Sequence, residues 1–156
     1  MRSSIRFSIF VIVALFIGVG VARAAKAQEH PEHPAKSTEK ATFDADAIGN
    51  AIQQYVDEDS ALKGGYFLIY DPVSSSVLQL KLTKIHQDKL AKVGEGLYFA
   101  CSDFAAGKDA TYDLDFFLRE KGDRLAVSEI KIHKENGNPR YNWMEKDGLW
   151  STVPVK

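Results

Sequence analysis

Two runs of alternating aromatic and small residues constrain this chain more than anything else in it. They are Leu97-Tyr98-Phe99-Ala100-Cys101-Ser102-Asp103-Phe104 and Thr111-Tyr112-Asp113-Leu114-Asp115-Phe116-Phe117-Leu118, joined by Ala105-Ala106-Gly107-Lys108-Asp109. Aromatic and β-branched residues at period two suit a pleated surface, and a short linker with a glycine free to take positive φ suits a hairpin. Symmetric pairing about Gly107 sets Tyr98 near Phe116, Ala100 near Leu114 and Ser102 near Tyr112. One face is then apolar. The other carries Cys101, Asp103, Asp113 and Asp115, with Phe99 and Phe117 further along, and in a one-sided sheet that face meets solvent.

The rest of the chain reads around this hairpin. An apolar share of 45% and a charged share of 26% fit one globular domain. The net charge of −1 gives no basic field, so nucleic acid is not an expected partner. A single cysteine makes no internal disulfide, so the fold rests on its core. Residues 1–24 read as a signal peptide: Arg2 and Arg6 precede the apolar run Phe7 to Val21, and Ala22-Arg23-Ala24 is a small-x-small cleavage site, with Ala25-Lys26-Ala27 a second. The run is shorter than the roughly 20 residues a spanning helix needs. Membrane contact is therefore expected only before cleavage, and the expected location is a bacterial periplasm, with secretion as the alternative.

Residues 25–41 read as a flexible tether. Glu29-His30-Pro31 and Glu32-His33-Pro34 repeat one motif, and an extended polyproline conformation sets His30 and His33 on one edge. Two exposed histidines with flanking glutamates offer weak capture of a divalent metal; a solvated tether is the plainer reading, since a closed zinc site takes four ligands. Residues 42–154 then form one α+β domain. Asp44 is placed as an N-cap, with Phe43 and Ile48 as a hydrophobic staple. Ile48, Ala51, Ile52, Tyr55 and Val56 make a helical stripe. Asp57-Glu58-Asp59 follow it, where the helix dipole disfavours acids, so the helix is expected to stop near Val56.

From Gly64 the period is two. Gly65 to Tyr70 is apolar on both faces and reads as a covered strand. Leu78, Leu80 and Leu82 alternate with polar residues. Leu125 and Val127 fall out of phase with Ile130 and Ile132, which calls for a bulge at Ser128-Glu129. Arg140 to Met144 and Leu149 to Val153 flank a turn at Lys146-Asp147-Gly148. Lys84-Ile85-His86 and Lys131-Ile132-His133 end two similar strand–turn–strand stretches, as if two three-stranded units lay side by side. The expected architecture is one N-terminal helix on a curved antiparallel meander of about six strands.

Gly64-Gly65-Tyr66-Phe67, Lys84-Ile85-His86-Gln87-Asp88-Lys89, Tyr98 to Phe104, Tyr112-Asp113-Leu114-Asp115-Phe116 and His133-Lys134 with Pro139-Arg140-Tyr141 resemble a group of small exported bacterial proteins, several with a similar His-Pro tether. The resemblance spans residues 42–154. It implies export and brings no activity or functional residue with it. The order of elements is also similar to the cystatin-like architecture, which hosts enzymes and inert binding modules alike.

Three sets of residues are candidates for function. Asp103, Asp113 and Asp115, with Cys101, could hold a divalent cation, although no calcium-loop spacing is present. A lone cysteine among aromatics is more often a small buried apolar residue than a reactive one; Cys101 with His86 or His133 would make a thiol enzyme, although three nearby acids oppose a thiolate. Tyr66, Tyr141, Trp143 and Trp150 could line a ligand or partner surface. No nucleotide loop, haem motif, zincin motif or nucleophile elbow occurs, so no catalytic residue is assigned and no cofactor is expected. The leading expectation is a non-catalytic exported binding or accessory module for a periplasmic protein or small ligand. Metal handling by the tether and thiol chemistry at Cys101 are the alternatives.

Overall fold

A computed structural model describes residues 29–30, 43–146 and 149–155. The expected signal peptide, most of the tether with His33, and the Asp147-Gly148 turn lie outside the described residues. The elements run β1 (Glu29–His30), α1 (Ala45–Leu62), β2 (Phe67–Asp71), β3 (Ser76–Ile85), β4 (Ala91–Gly94), β5 (Leu97–Ala106), β6 (Ala110–Lys121), β7 (Arg124–Glu135), β8 (Asn138–Pro139), β9 (Tyr141–Lys146) and β10 (Leu149–Pro154). A 3₁₀ turn at Gln87–Lys89 links β3 to β4. The main sheet is antiparallel in the order β2-β3-β5-β6-β7-β8, with β4 beside β5, and it curls into a half-barrel around α1. The α+β architecture expected from the sequence is the one observed.

The helix begins where its cap is. Asp44 accepts a hydrogen bond from the Ala47 amide at 2.8 Å, satisfying a donor that the helix itself leaves open. It does not stop at Val56. Gln53 donates to Asp57, Gln54 to Glu58, and Lys63 pairs with Asp59 at 2.6 Å, so each acid has a partner four residues away. These contacts offset the unfavourable dipole and carry the helix to Leu62. Gly64 and Gly65, at φ +72° and +86°, then turn the chain where a Cβ would be strained.

The central hairpin has the expected faces but a register two residues away. Gly107, Lys108 and Asp109 form the loop, so Tyr98 pairs Leu118, Ala100 pairs Phe116 and Ser102 pairs Leu114. A shift of two leaves every side chain on its own face. The even-numbered face of β5 and β6 packs with Phe67, Leu80 and the helix residues Ile48, Ile52 and Val56 in the main core. Strand β2, expected to be covered, is instead an edge strand whose Tyr70 is 60% exposed. Its far end is held by Asp71, which receives both guanidinium nitrogens of Arg140, 69 residues away, and so ties one margin of the curl to the other.

The larger difference is on the convex face. Strands β9 and β10 leave the main sheet and pair with each other and with β1, as a second, three-stranded sheet. Trp143 of β9 packs on Phe99, Cys101 and Phe117, with Tyr141 and Trp150 against the same cluster. The Lys-Ile-His repeat therefore does not generate two side-by-side sheets: the third strand of its second copy folds over the back of the central hairpin.

Candidate functional site: a sealed Cys–Asp–His cluster

Strand β7 carries two irregularities, and both matter to the site. Phe117 pairs Glu129 while Leu118 pairs Val127, so Ser128 is an extra residue, at the bulge the sequence calls for. Asp113 pairs Lys134 while Leu114 pairs Ile132, which makes His133 a second extra residue. A bulge bends its strand and re-aims a side chain. Here the His133 imidazole enters the convex face and stacks on the Tyr141 ring at 4.7 Å.

Beneath Tyr141 and Trp143 the hairpin brings Cys101 and Asp115 directly opposite each other. Donor atoms of Cys101, Asp115 and His133 lie within 4.8 Å of one another. All three side chains are closed off: Cys101 is 1% exposed, Asp115 and His133 0%. Asp115 Oδ2 accepts the Tyr141 hydroxyl at 2.5 Å and the Trp143 indole N–H at 3.2 Å. Its Oδ1 faces His133 Nδ1 at 3.6 Å and accepts no hydrogen bond from the described residues. Burial pushes the Asp115 carboxyl up to about 7, against the opposing pull of Tyr141, Cys101 and Trp143. Burial and the neighbouring Asp115 push the Cys101 thiol far above its usual value, so no thiolate nucleophile stands ready.

The expectation that the Asp115 face meets solvent is thus overturned, whereas Cys101 is the small buried residue that a lone cysteine among aromatics suggests. A polar face reads alike whether water or a second sheet covers it, and here β9 and β10 cover it. Asp103 and Asp113 remain half-buried at the margin, and each has its own partner. His86 Nε2 meets Asp103 Oδ1 at 2.7 Å, and Lys134 Nζ lies 3.6 Å from Asp113. They do not join Asp115 around one point. His30 contributes backbone pairing opposite Trp143, through β1. Of the aromatic candidates, Tyr141, Trp143 and Trp150 gather over the cluster, whereas Tyr66 stands apart under the Lys81 ammonium, 5.0 Å from its ring centre. His133 was paired with Cys101 in the sequence reading; its meeting with Asp115 was not foreseen.

A second feature lies on the opposite side of the fold. An open groove of about 520 Å³ runs between α1 and the β6–β7 turn. Its lining mixes apolar Phe43, Ala51, Tyr55, Leu125 and Val127 with polar Asn50 and Gln54 and charged Glu58, Lys121, Asp123 and Arg124. Among the described residues, no helix is long and apolar enough to cross a membrane. Comparison with family models, with curated proteins and with solved structures gives no match.

Proposed function

We propose that this chain is an exported, non-catalytic binding module whose ligand sits in the groove between α1 and the β6–β7 turn. The observation that carries the reading is the groove itself: about 520 Å³ lies in the range of small-molecule sites, with apolar, polar and charged side chains together in its lining. The ligand chemistry that suits it is a small amphipathic organic anion. Its apolar body would lie along Tyr55, Ala51 and Val127, and its anionic group would reach Lys121 and Arg124, which pair across the turn. The export part of the reading rests on the Arg2/Arg6, apolar-run and Ala22-Arg23-Ala24 pattern.

A thermal-shift panel of aromatic and aliphatic carboxylates tests the binding. A ligand held only by the folded state raises stability by about 2.7 kcal/mol at a hundred times its Kd. The expected result is a saturable shift that Ala51→Trp abolishes by filling the groove. A panel without a shift, or a shift that Ala51→Trp leaves intact, removes the reading. Export is tested separately, by sequencing the N-terminus of the protein recovered from the periplasm; a mature chain starting at Ala25 or Gln28 is expected.

A further inference from the structure

The cluster beneath β9 and β10 is a costly thing to bury unless it holds something. Three polar side chains from three adjacent strands converge in a space sealed from water, where apolar residues of similar size would avoid the desolvation cost. We propose that Cys101 Sγ, Asp115 Oδ1 and a ring nitrogen of His133 form a binding site for one divalent cation of the zinc type, with a water carried in by the ion as the fourth ligand.

Four observations converge on this. The donor set is one sulfur, one oxygen and one imidazole nitrogen, the mixture that borderline-soft divalent ions prefer over calcium or magnesium. The charges balance, because a thiolate and a carboxylate offset a 2+ ion and leave a neutral centre in a sealed interior. Asp115 is divided as a metal-ligating carboxylate would be: Tyr141 and Trp143 occupy Oδ2, and Oδ1 is left pointing at the other two donors. The donors need only draw in, since all three lie within 4.8 Å of one another. Bonds of about 2.0–2.3 Å in a tetrahedral arrangement set donors roughly 3.3–3.8 Å apart, and Asp115 Oδ1 and His133 Nδ1 are already at 3.6 Å. On binding, the thiol proton leaves to solvent as the metal–sulfur bond forms, and any proton on the carboxylate leaves with it. The cover of β9 and β10 makes loading part of folding, or of a transient lifting of that cover.

The test is to refold the full chain from denaturant, under a non-thiol reductant, across a Co²⁺ titration. The chain has one cysteine, so a thiolate-to-cobalt charge-transfer band reports Cys101 alone. The expected result is a band that appears with the native far-ultraviolet spectrum, saturates at one equivalent and is displaced by Zn²⁺. It persists in a His30→Ala/His33→Ala chain, which removes the tether histidines, and its affinity falls at least tenfold in His133→Gln and in Asp115→Asn. No thiolate band at saturating Co²⁺ overturns the proposal. So does a band whose affinity ignores both substitutions. Because the band in the unsubstituted chain is itself decisive for the thiolate, a variant that fails to fold does not rescue the idea.

Discussion

Asp71 ties one margin of the curled sheet to the other, and Asp115 sits under β9 and β10 on its convex face; neither exposes any surface. Their surroundings differ in one respect. Asp71 meets a cation: both guanidinium nitrogens of Arg140, with the Val73 amide and the Ser74 hydroxyl filling its remaining acceptor sites. Its carboxyl is held well below the usual range, chiefly by Arg140. Asp115 meets the neutral donors Tyr141 and Trp143, and its carboxyl is pushed up. Two carboxylates without exposed surface thus end on opposite sides of the ordinary value. Burial raises both; at Asp71 the Arg140 guanidinium, with Ser74 and Val73, outweighs it, and at Asp115, which is packed more deeply, the surrounding donors do not. Asp71 is finished as a structural tie, whereas beside Asp115 stands the His133 imidazole at 3.6 Å in place of a guanidinium.

The comparison breaks most visibly at Arg140. Arg140→Ala strands a buried charge at Asp71 and should cost about 3–5 kcal/mol in urea unfolding; a loss below 1 kcal/mol would show that water reaches Asp71 and that the two sites are not alike. The pH profile comes next, read on metal-free protein. Asp71 has a depressed folded value, so its contribution is present above the unfolded carboxylate value near 3.9 and is lost as pH falls through that region. Asp115 has a raised folded value. Its protonated form favours the fold, so stability falls as pH climbs from the carboxylate range towards about 7, by up to about 1.4 kcal/mol per unit. Asp115→Asn should flatten that upper limb, and Asp71→Asn should flatten the acid limb; an unchanged upper limb in Asp115→Asn would contradict the raised carboxyl.

Smaller effects sharpen the same contrast. Tyr141→Phe removes a donor to Asp115 Oδ2 and should cost about 1–3 kcal/mol at pH 8, less at pH 5, where a protonated carboxyl needs the donor less. An equal loss at both values would mean that the hydroxyl serves packing alone. Asp44 supplies the exposed reference. Asp44→Ala takes away one cap hydrogen bond, worth about 1 kcal/mol, and part of the loss should fade in high salt, which screens the carboxylate's attraction to the helix dipole.

How much of this was legible beforehand follows from how local each feature is. The two faces of the central hairpin, the Asp44 cap and the bulge at Ser128 are set by residues within a few positions, and the sequence shows them. The hairpin register slipped by two because Ala105 and Ala106 carry no signal to separate loop from strand. The helix overran its expected end because side-chain partners at four-residue spacing outweigh the dipole. The candidate site was half visible. Cys101 and Asp115 were placed on one face, but what covers that face lies some 26 residues further along, at Tyr141. The Asp71–Arg140 tie, 69 residues apart, has no local trace at all.

The bulge at His133 has one more consequence, for insertions and deletions. A pleated strand has a reading frame of two: losing one residue turns everything beyond it inside out. Residues 128 and 133 are the exceptions in β7, since each is surplus to the pairing, and removing either would leave its neighbours on the faces they already occupy. The strand could drop position 133 and keep its frame. The side chain found there is therefore not dictated by the alternation of the sheet: it is free of the frame, and the cover of β9, through the Tyr141 ring stacked on it, is what holds it.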